Sequence, residues 1–284
     1  GPRDWWSDHT DSPLFFIIGI GDYCKTTGDA TLFKTYLPQI EAVFRRYMVM
    51  AGNGNGLPRK PRHDRDWADN VFRAGDVAYI AGLWIAALNV LRQLGQGVLA
   101  TEAQACHAQA VAALPRLATC HGWPCNYADT DADAVEDNLS LDALTLCMAD
   151  APDSNALLAH IGRTLDTRHN AGQPWGDWGV MCAWPAYGRR RDLRGKTVFP
   201  YRYHNGSDWP WLDGLYAREM LRRNMDGWDY PLLRWWSYGL AQGWTSPVEY
   251  YSPRYGRGSL LQGWSSLPAA AALSYTDIIL RKRK

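Results

Sequence analysis

Little in this sequence reaches outward by charge. Lys and Arg number 30 against 29 Asp and Glu, a net charge of +1, so no basic field draws nucleic acid or an anionic membrane surface. Long apolar runs are lacking too. The longest, Leu14 to Ile20 and Leu83 to Val90, stop well short of the roughly 20 residues that cross a bilayer. Neither a nucleic-acid partner nor a membrane span is expected. Six cysteines in 284 residues are too sparse for a disulfide scaffold. Cys120 and Cys125 flank His121 at a spacing zinc can use, but no second pair accompanies them, and buried thiols or a local disulfide are the competing reading. Asp129-Thr130-Asp131-Ala132-Asp133 starts like a calcium loop yet lacks the later Gly and Glu, and so reads as a solvated acidic loop. No metal and no cofactor is expected. No leader pattern is visible behind Gly1-Pro2, which has the look of a tag remnant, so the compartment is not legible.

What is present is an apolar, aromatic chain. Hydrophobic residues make up 46% and charged residues 21%, the usage of a soluble globular protein with a real core. The length suits one large domain as well as two small ones. Fifteen Trp and fifteen Tyr exceed what a core requires, and many stand beside Gly, Pro, Asn and Asp. Rings in such loops suit stacking on a flat ligand such as a sugar, with core packing as the role of the rest.

The patterned segments are helical. Asp11-Ser12 caps a helix over Pro13 to Thr27 that Gly28 ends. A second runs from Asp29 to Met50, with apolar residues recurring at three and four, and a third from Val77 to Leu94 is apolar on most sides. Further helices are expected over Glu102 to Leu114, Leu139 to Met148, Asn155 to Thr167, Trp209 to Arg223, Tyr230 to Gln242 and Gly263 to Leu280. With almost no period-2 alternation, this succession predicts an all-α fold of helical hairpins. The stretches 51–76, 169–208 and 244–262 read as long loops, and alternate connections in an array of hairpins emerge at one end, so these three are expected to build the site.

The first of these loops holds Asp66-Trp67-Ala68-Asp69-Asn70 after a run of charged residues. The third holds Glu249 among rings. Two carboxylates are the minimum machinery for hydrolysing a glycosidic bond, one protonating the leaving oxygen and the other activating water or attacking carbon. On spacing alone, surface ion pairs to Arg62, Arg65 and Arg254 compete with that role.

Four motifs in order resemble a known family. Thr10-Asp11-Ser12-Pro13-Leu14-Phe15-Phe16-Ile17 with Thr27-Gly28-Asp29 comes first, then Asp66 to Asn70 ahead of Leu83-Trp84-Ile85-Ala86-Ala87-Leu88. Tyr203-His204-Asn205-Gly206-Ser207-Asp208-Trp209-Pro210-Trp211 follows, and Glu249-Tyr250-Tyr251-Ser252-Pro253 with Gly263-Trp264-Ser265 closes the set. Together they are similar to the catalytic domain of glycogen-debranching and processing α-glucosidase enzymes, glycoside hydrolase family 63 and its relatives. The resemblance spans most of residues 10–272.

It implies a single catalytic domain over 1–284, an (α/α)6 toroid that hydrolyses an α-linked glycan or glucoside with inversion. Asp69 takes the place of the general acid and Glu249 that of the general base, with Asp66 as the competing acid. Asp66, Trp67, Asn70, Arg73, His204, Asn205, Trp209, Trp211, Tyr250 and Trp264 then fall to substrate binding, though His204-Asn205-Gly206 also reads as a turn before a helix. Arg65 and Arg73 suit holding the acid, and Arg254 and Arg257 suit a carboxylate on the substrate. Two departures stand out. A closed ring of six hairpins has twelve helices, and about nine are read here, so early hairpins are expected to be missing, to lie on a second chain, or to be dispensed with. Asp208 also replaces a small or apolar residue before Trp209. The rival readings are a glycuronyl hydrolase or polysaccharide lyase, and a non-catalytic carbohydrate-binding protein.

Overall fold

A computed structural model describes residues 9–118, 122–130, 134–244 and 248–273. The chain divides into two units, Gly1–Asp137 with Thr145–Ser154, and Asn138–Leu144 with Asn155–Lys284. Helix is the main element in both, as the apolar spacing implies.

In the first unit, α1 (Ser12–Thr27) starts where expected: the Asp11 carboxylate accepts the Ser12 N–H at 2.8 Å and Pro13 follows. Its buried face is Leu14, Ile17, Ile20, Gly21 and Cys24. The single helix expected from Asp29 to Met50 is instead two, α2 (Thr31–Thr35) and α3 (Leu37–Asn55). Pro38 explains the break, because it has no N–H for the Lys34 carbonyl and its ring would clash there, and Tyr36, at φ −98° and ψ 13°, leaves helical geometry between the two helices. Ile40, Phe44, Tyr47 and Ala51 of α3 are buried, a face at spacings of three and four. α4 (Ala78–Leu94) buries nearly every side chain and packs against α5 (Gly97–Ala113) and α1. Trp84 of α4 stacks against both Phe44 and Tyr47 of α3, with ring centres 5.9 Å from each. A small antiparallel sheet, β1 (Asp76–Val77), β2 (Tyr127–Asp129) and β3 (Ala134–Glu136), pairs Val77 with Tyr127 and Tyr127 with Glu136.

The second unit departs more from expectation. The helix expected over Leu139 to Met148 begins instead as β4 (Leu139–Ser140), paired antiparallel with β5 (Ala183–Trp184), and only α6 (Leu144–Met148), which belongs to the first unit from Thr145 on, is α-helical. The Leu141 N–H goes to the Cys182 carbonyl at 2.8 Å, so a distant strand takes the backbone that a helix would have used. Helices α7 (Ser154–Thr164), α8 (Pro210–Arg222) and α9 (Tyr230–Ala241) follow, and α8 packs on α9. The 244–262 stretch is not an open loop. Within it, β6 (Val248–Ser252) and β7 (Tyr255–Leu260) form an antiparallel hairpin closed over Pro253-Arg254. A 3-10 turn, Gly263–Ser266, then leads into helix at 267–273; residues 274–280 of the expected last helix lie outside the described residues.

Candidate active site

In the first unit, Lys60 and Gly75 exchange both backbone hydrogen bonds at 2.9 Å and pinch off the loop between them. Asp66 fills its interior. The carboxylate, 1% exposed, accepts from Arg73 Nη2 at 2.7 Å, Arg73 Nε at 3.3 Å and the Ala68 N–H at 2.8 Å, with Lys60 Nζ at 3.6 Å. Burial alone pushes such a carboxyl up, but the Arg73 and Lys60 charges outweigh it and hold Asp66 well below the usual carboxylate range. Lys60, buried in the same knot, is lowered to about 8 by desolvation against the pull of Asp66, and also donates to the carbonyls of Arg73 at 2.9 Å and of His63. Beside it His63 drops to about 4, through burial and then the Lys60 charge, and stays neutral. Arg73, fully buried, also reaches Asn126 Oδ1 at 3.3 Å.

Asp69 sits differently. The Val71 N–H closes a turn on the Ala68 carbonyl at 3.1 Å, and Asn70, at φ 71°, occupies the left-handed position that Asn tolerates in such turns. Asp69 stands half-buried on this turn, next to half-buried Trp67. Asp11, which the sequence assigns only to capping, accepts the Trp67 N–H at 2.9 Å and the Tyr79 hydroxyl at 3.1 Å with its second oxygen. One carboxylate thus starts α1 and anchors the segment before Asp69.

In the second unit, Glu249 projects from β6, half-buried. Its Oε2 accepts the Ser259 N–H at 3.0 Å, and its Oε1 lies 3.5 Å from the Tyr203 hydroxyl. Gly258, at φ 78°, makes room for it: a Cβ there would stand 2.1 Å from Oε2. Behind Glu249, His204 stacks on Trp209 with centres 4.6 Å apart, and Trp209 on Tyr250 at 5.2 Å. Tyr203 meets Trp209 and Tyr250 edge-on at 5.2 and 5.3 Å. His204, Asn205, Trp209 and Tyr250 are each about 2% exposed, so they form an inner layer rather than an open stacking wall. Asn205 is engaged at both ends of its amide: Oδ1 accepts the Tyr187 N–H and Nδ2 donates to the Thr197 carbonyl, each at 2.9 Å. Trp211 is half-buried, and Trp264, 50% exposed, presents the most accessible ring of the set. Arg254 lies over Trp175 and Arg257 over Tyr255, at 4.9 and 5.0 Å from the ring centres.

Comparisons with known proteins give structural matches only. No protein-family model matches the sequence, and no curated protein does. Among solved structures the chain is similar to the GH63 mannosylglycerate hydrolase from Thermus thermophilus. The glucose complex matches with a TM-score of 0.45 and 16% identity over 69% of this chain and 44% of that one. An uncharacterized conserved protein from the same organism matches with a TM-score of 0.45 and 18% identity over 68% of this chain and 45% of that one. This chain therefore spans less than half the length of those it matches.

Among the described residues, no three His, Cys, Asp or Glu side chains gather to hold a metal ion, and no helix is long and apolar enough to cross a membrane. Cys120 and His121 lie outside the described residues, as do Asp131 to Asp133. The sequence named Tyr203 only as part of a motif. What marks it is strain at φ 49°, two residues after Tyr201 at φ 61°, a conformation bulky side chains rarely adopt without cause.

Proposed function

We propose that this chain is a glycoside hydrolase domain of the (α/α)6 toroid type that cleaves an α-linked glycan or glucoside with inversion, Asp69 acting as general acid and Glu249 as general base. The observation that carries the reading is the contrast between the two acidic residues of the first loop. Asp66 is enclosed and held ionised by Arg73 and Lys60, which suits a positioning role and removes it as a proton donor. Asp69, on the turn that this knot and Asp11 brace, is the remaining acid in the motif. Glu249, oriented by the Ser259 N–H, is the carboxylate of the fourth motif.

In this mechanism Asp69 protonates the glycosidic oxygen as the bond to the anomeric carbon breaks. Glu249 takes a proton from water, whose oxygen attacks that carbon from the opposite face. Inversion requires the two carboxyl groups about 6.5–9.5 Å apart, room for one water. No cofactor takes part. Trp67 and Trp264 suit stacking against sugar faces, whereas His204, Trp209 and Tyr250 support the strand that bears Glu249.

The test is substitution. Asp69→Asn and Glu249→Gln should each lower kcat on a cognate glycan by about 10²–10⁴-fold while binding persists. Normal turnover in either variant would contradict the assignment. An unsaturated product absorbing in the ultraviolet would mark a lyase instead, and affinity without product a binding protein.

A further inference from the structure

Charge is balanced over the whole chain, at +1, but not around Glu249. Residues 189–202 hold six Arg and Lys against the single acid Asp192, which Arg189 takes at 3.1 Å. Elsewhere in this unit Asp166 is taken by Arg168 at 2.6 Å, and Glu219 by Arg222 and Arg223. Lys196, Arg202 and Arg257 pair with no acid among the described residues. Arg254, expected beside Arg257, lies instead over Trp175.

The three unpaired cations gather on the rings that adjoin Glu249. Lys196 Nζ lies 5.3 Å from the centre of the Tyr203 ring and 5.9 Å from that of Tyr250, and the Tyr203 hydroxyl stands 3.5 Å from Glu249 Oε1. Arg257 is the direct partner of Tyr250 across the β6–β7 ladder, so their side chains leave the same face. The Tyr250 hydroxyl feels both guanidinium groups: burial raises its pKa, and the charges of Arg257 and Arg202 oppose that rise. Lys196 is exposed, and Arg202 and Arg257 are half-buried, so none is sealed in the interior. Like charges held together repel, and an anionic ligand relieves the repulsion. Two Arg forks match paired oxygens, and Lys196 adds a point charge. The proposed mechanism says where the ligand's charge sits. In an inverting displacement the base works on the face of the sugar opposite the leaving group, so cations about Glu249 meet the sugar whose anomeric carbon is attacked. Resting on the roles given to Asp69 and Glu249, we propose that Lys196, Arg202 and Arg257 form an anion-recognition site beside Glu249, and that the sugar hydrolysed carries a carboxylate or a sulfate.

Calorimetric titration of the full chain carrying Asp69→Asn tests this without turnover. The probes are the methyl α-glycosides of glucose, galactose and mannose, each against its uronate and its 6-sulfate. At low salt at least one anionic probe should bind about tenfold or more tighter than its neutral counterpart; which one does separates carboxylate from sulfate. Arg257→Met, Arg202→Met and Lys196→Met should each reduce that preference and leave neutral-sugar affinity within about twofold, whereas a merely structural role would lower both alike. Lys196 is exposed, so its variant keeps the test readable if an Arg variant fails to fold. Equal binding of neutral and anionic probes in all three configurations, or a preference that survives the three substitutions combined, overturns the proposal. The hydrolase reading fails on a different result, undiminished turnover in Asp69→Asn or Glu249→Gln, so the two failures are told apart.

Discussion

Replacing Arg73 with Met tests the knot behind Asp69. The side chain is fully buried and gives Asp66 two hydrogen bonds, at 2.7 and 3.3 Å, and Asn126 one at 3.3 Å. Met keeps much of the length and removes every donor. Asp66 would keep only the Ala68 N–H at 2.8 Å and Lys60 at 3.6 Å, away from solvent. Breaking a buried ion pair from one side costs about 3–5 kcal/mol. The remaining Lys60 charge places the expected loss near the lower figure, about 3 kcal/mol, which is roughly 6–12 °C in melting temperature for a unit of this size. The assay is thermal unfolding by circular dichroism, with amide exchange of the Ala68 N–H reporting on the loop itself. Acid supplies a second readout. Asp66 is held below its ordinary value near 3.8, so its stabilisation is present above that pH and is lost as the pH falls through the folded value. Arg73→Met should flatten that acid limb. A loss under about 1 kcal/mol, the size of a surface pair, would refute the reasoning.

Other outcomes follow from the second unit. The Asp213 carboxyl is raised by burial and by Asp208, so its stabilisation is complete below the ordinary carboxylate value and declines as the pH rises toward the folded one. Thermal melts from pH 5 upward should therefore slope downward, and Asp213→Asn should lessen the slope; an unchanged slope would contradict the raised Asp213 carboxyl. Gly258→Ala puts a Cβ 2.1 Å from Glu249 Oε2 at φ 78° and should cost about 1–3 kcal/mol in chemical unfolding, with turnover reduced. Tyr203→Phe removes a contact of 3.5 Å to Glu249, too long to be strong, and kcat should fall less than about tenfold.

Local chemistry was the legible part of the fold. Asp11, Ser12 and Pro13 fix the start of α1 because capping is decided within a few residues, and α4 announced its burial by being apolar on most faces. Long-range pairing was not legible. Leu139 and Ser140 form a strand because residues 183–184 lie alongside, a partner that no local pattern contains. The β6–β7 hairpin was hidden by Pro253, Gly256 and Gly258, which read as loop residues, although Val248, Tyr250 and Tyr251 carry strand propensity. The difference between Asp66 and Asp69 was similarly hidden. It arises from Lys60 and Arg73 closing on Asp66 from the two ends of the loop, and spacing alone gives both acids equal standing. The aromatic richness was visible, but which rings turn inward was not: His204, Trp209 and Tyr250 stack on one another behind the strand.

The central claim is that two carboxylates hydrolyse a glycosidic bond with inversion. It is tested most directly by proton NMR of the first turnovers of the intact chain on a panel of α-linked glycans. The β-anomer of the released sugar should appear first, and its signal should vanish in Asp69→Asn and Glu249→Gln alike. The α-anomer appearing first, or product formed undiminished by either variant, would contradict it.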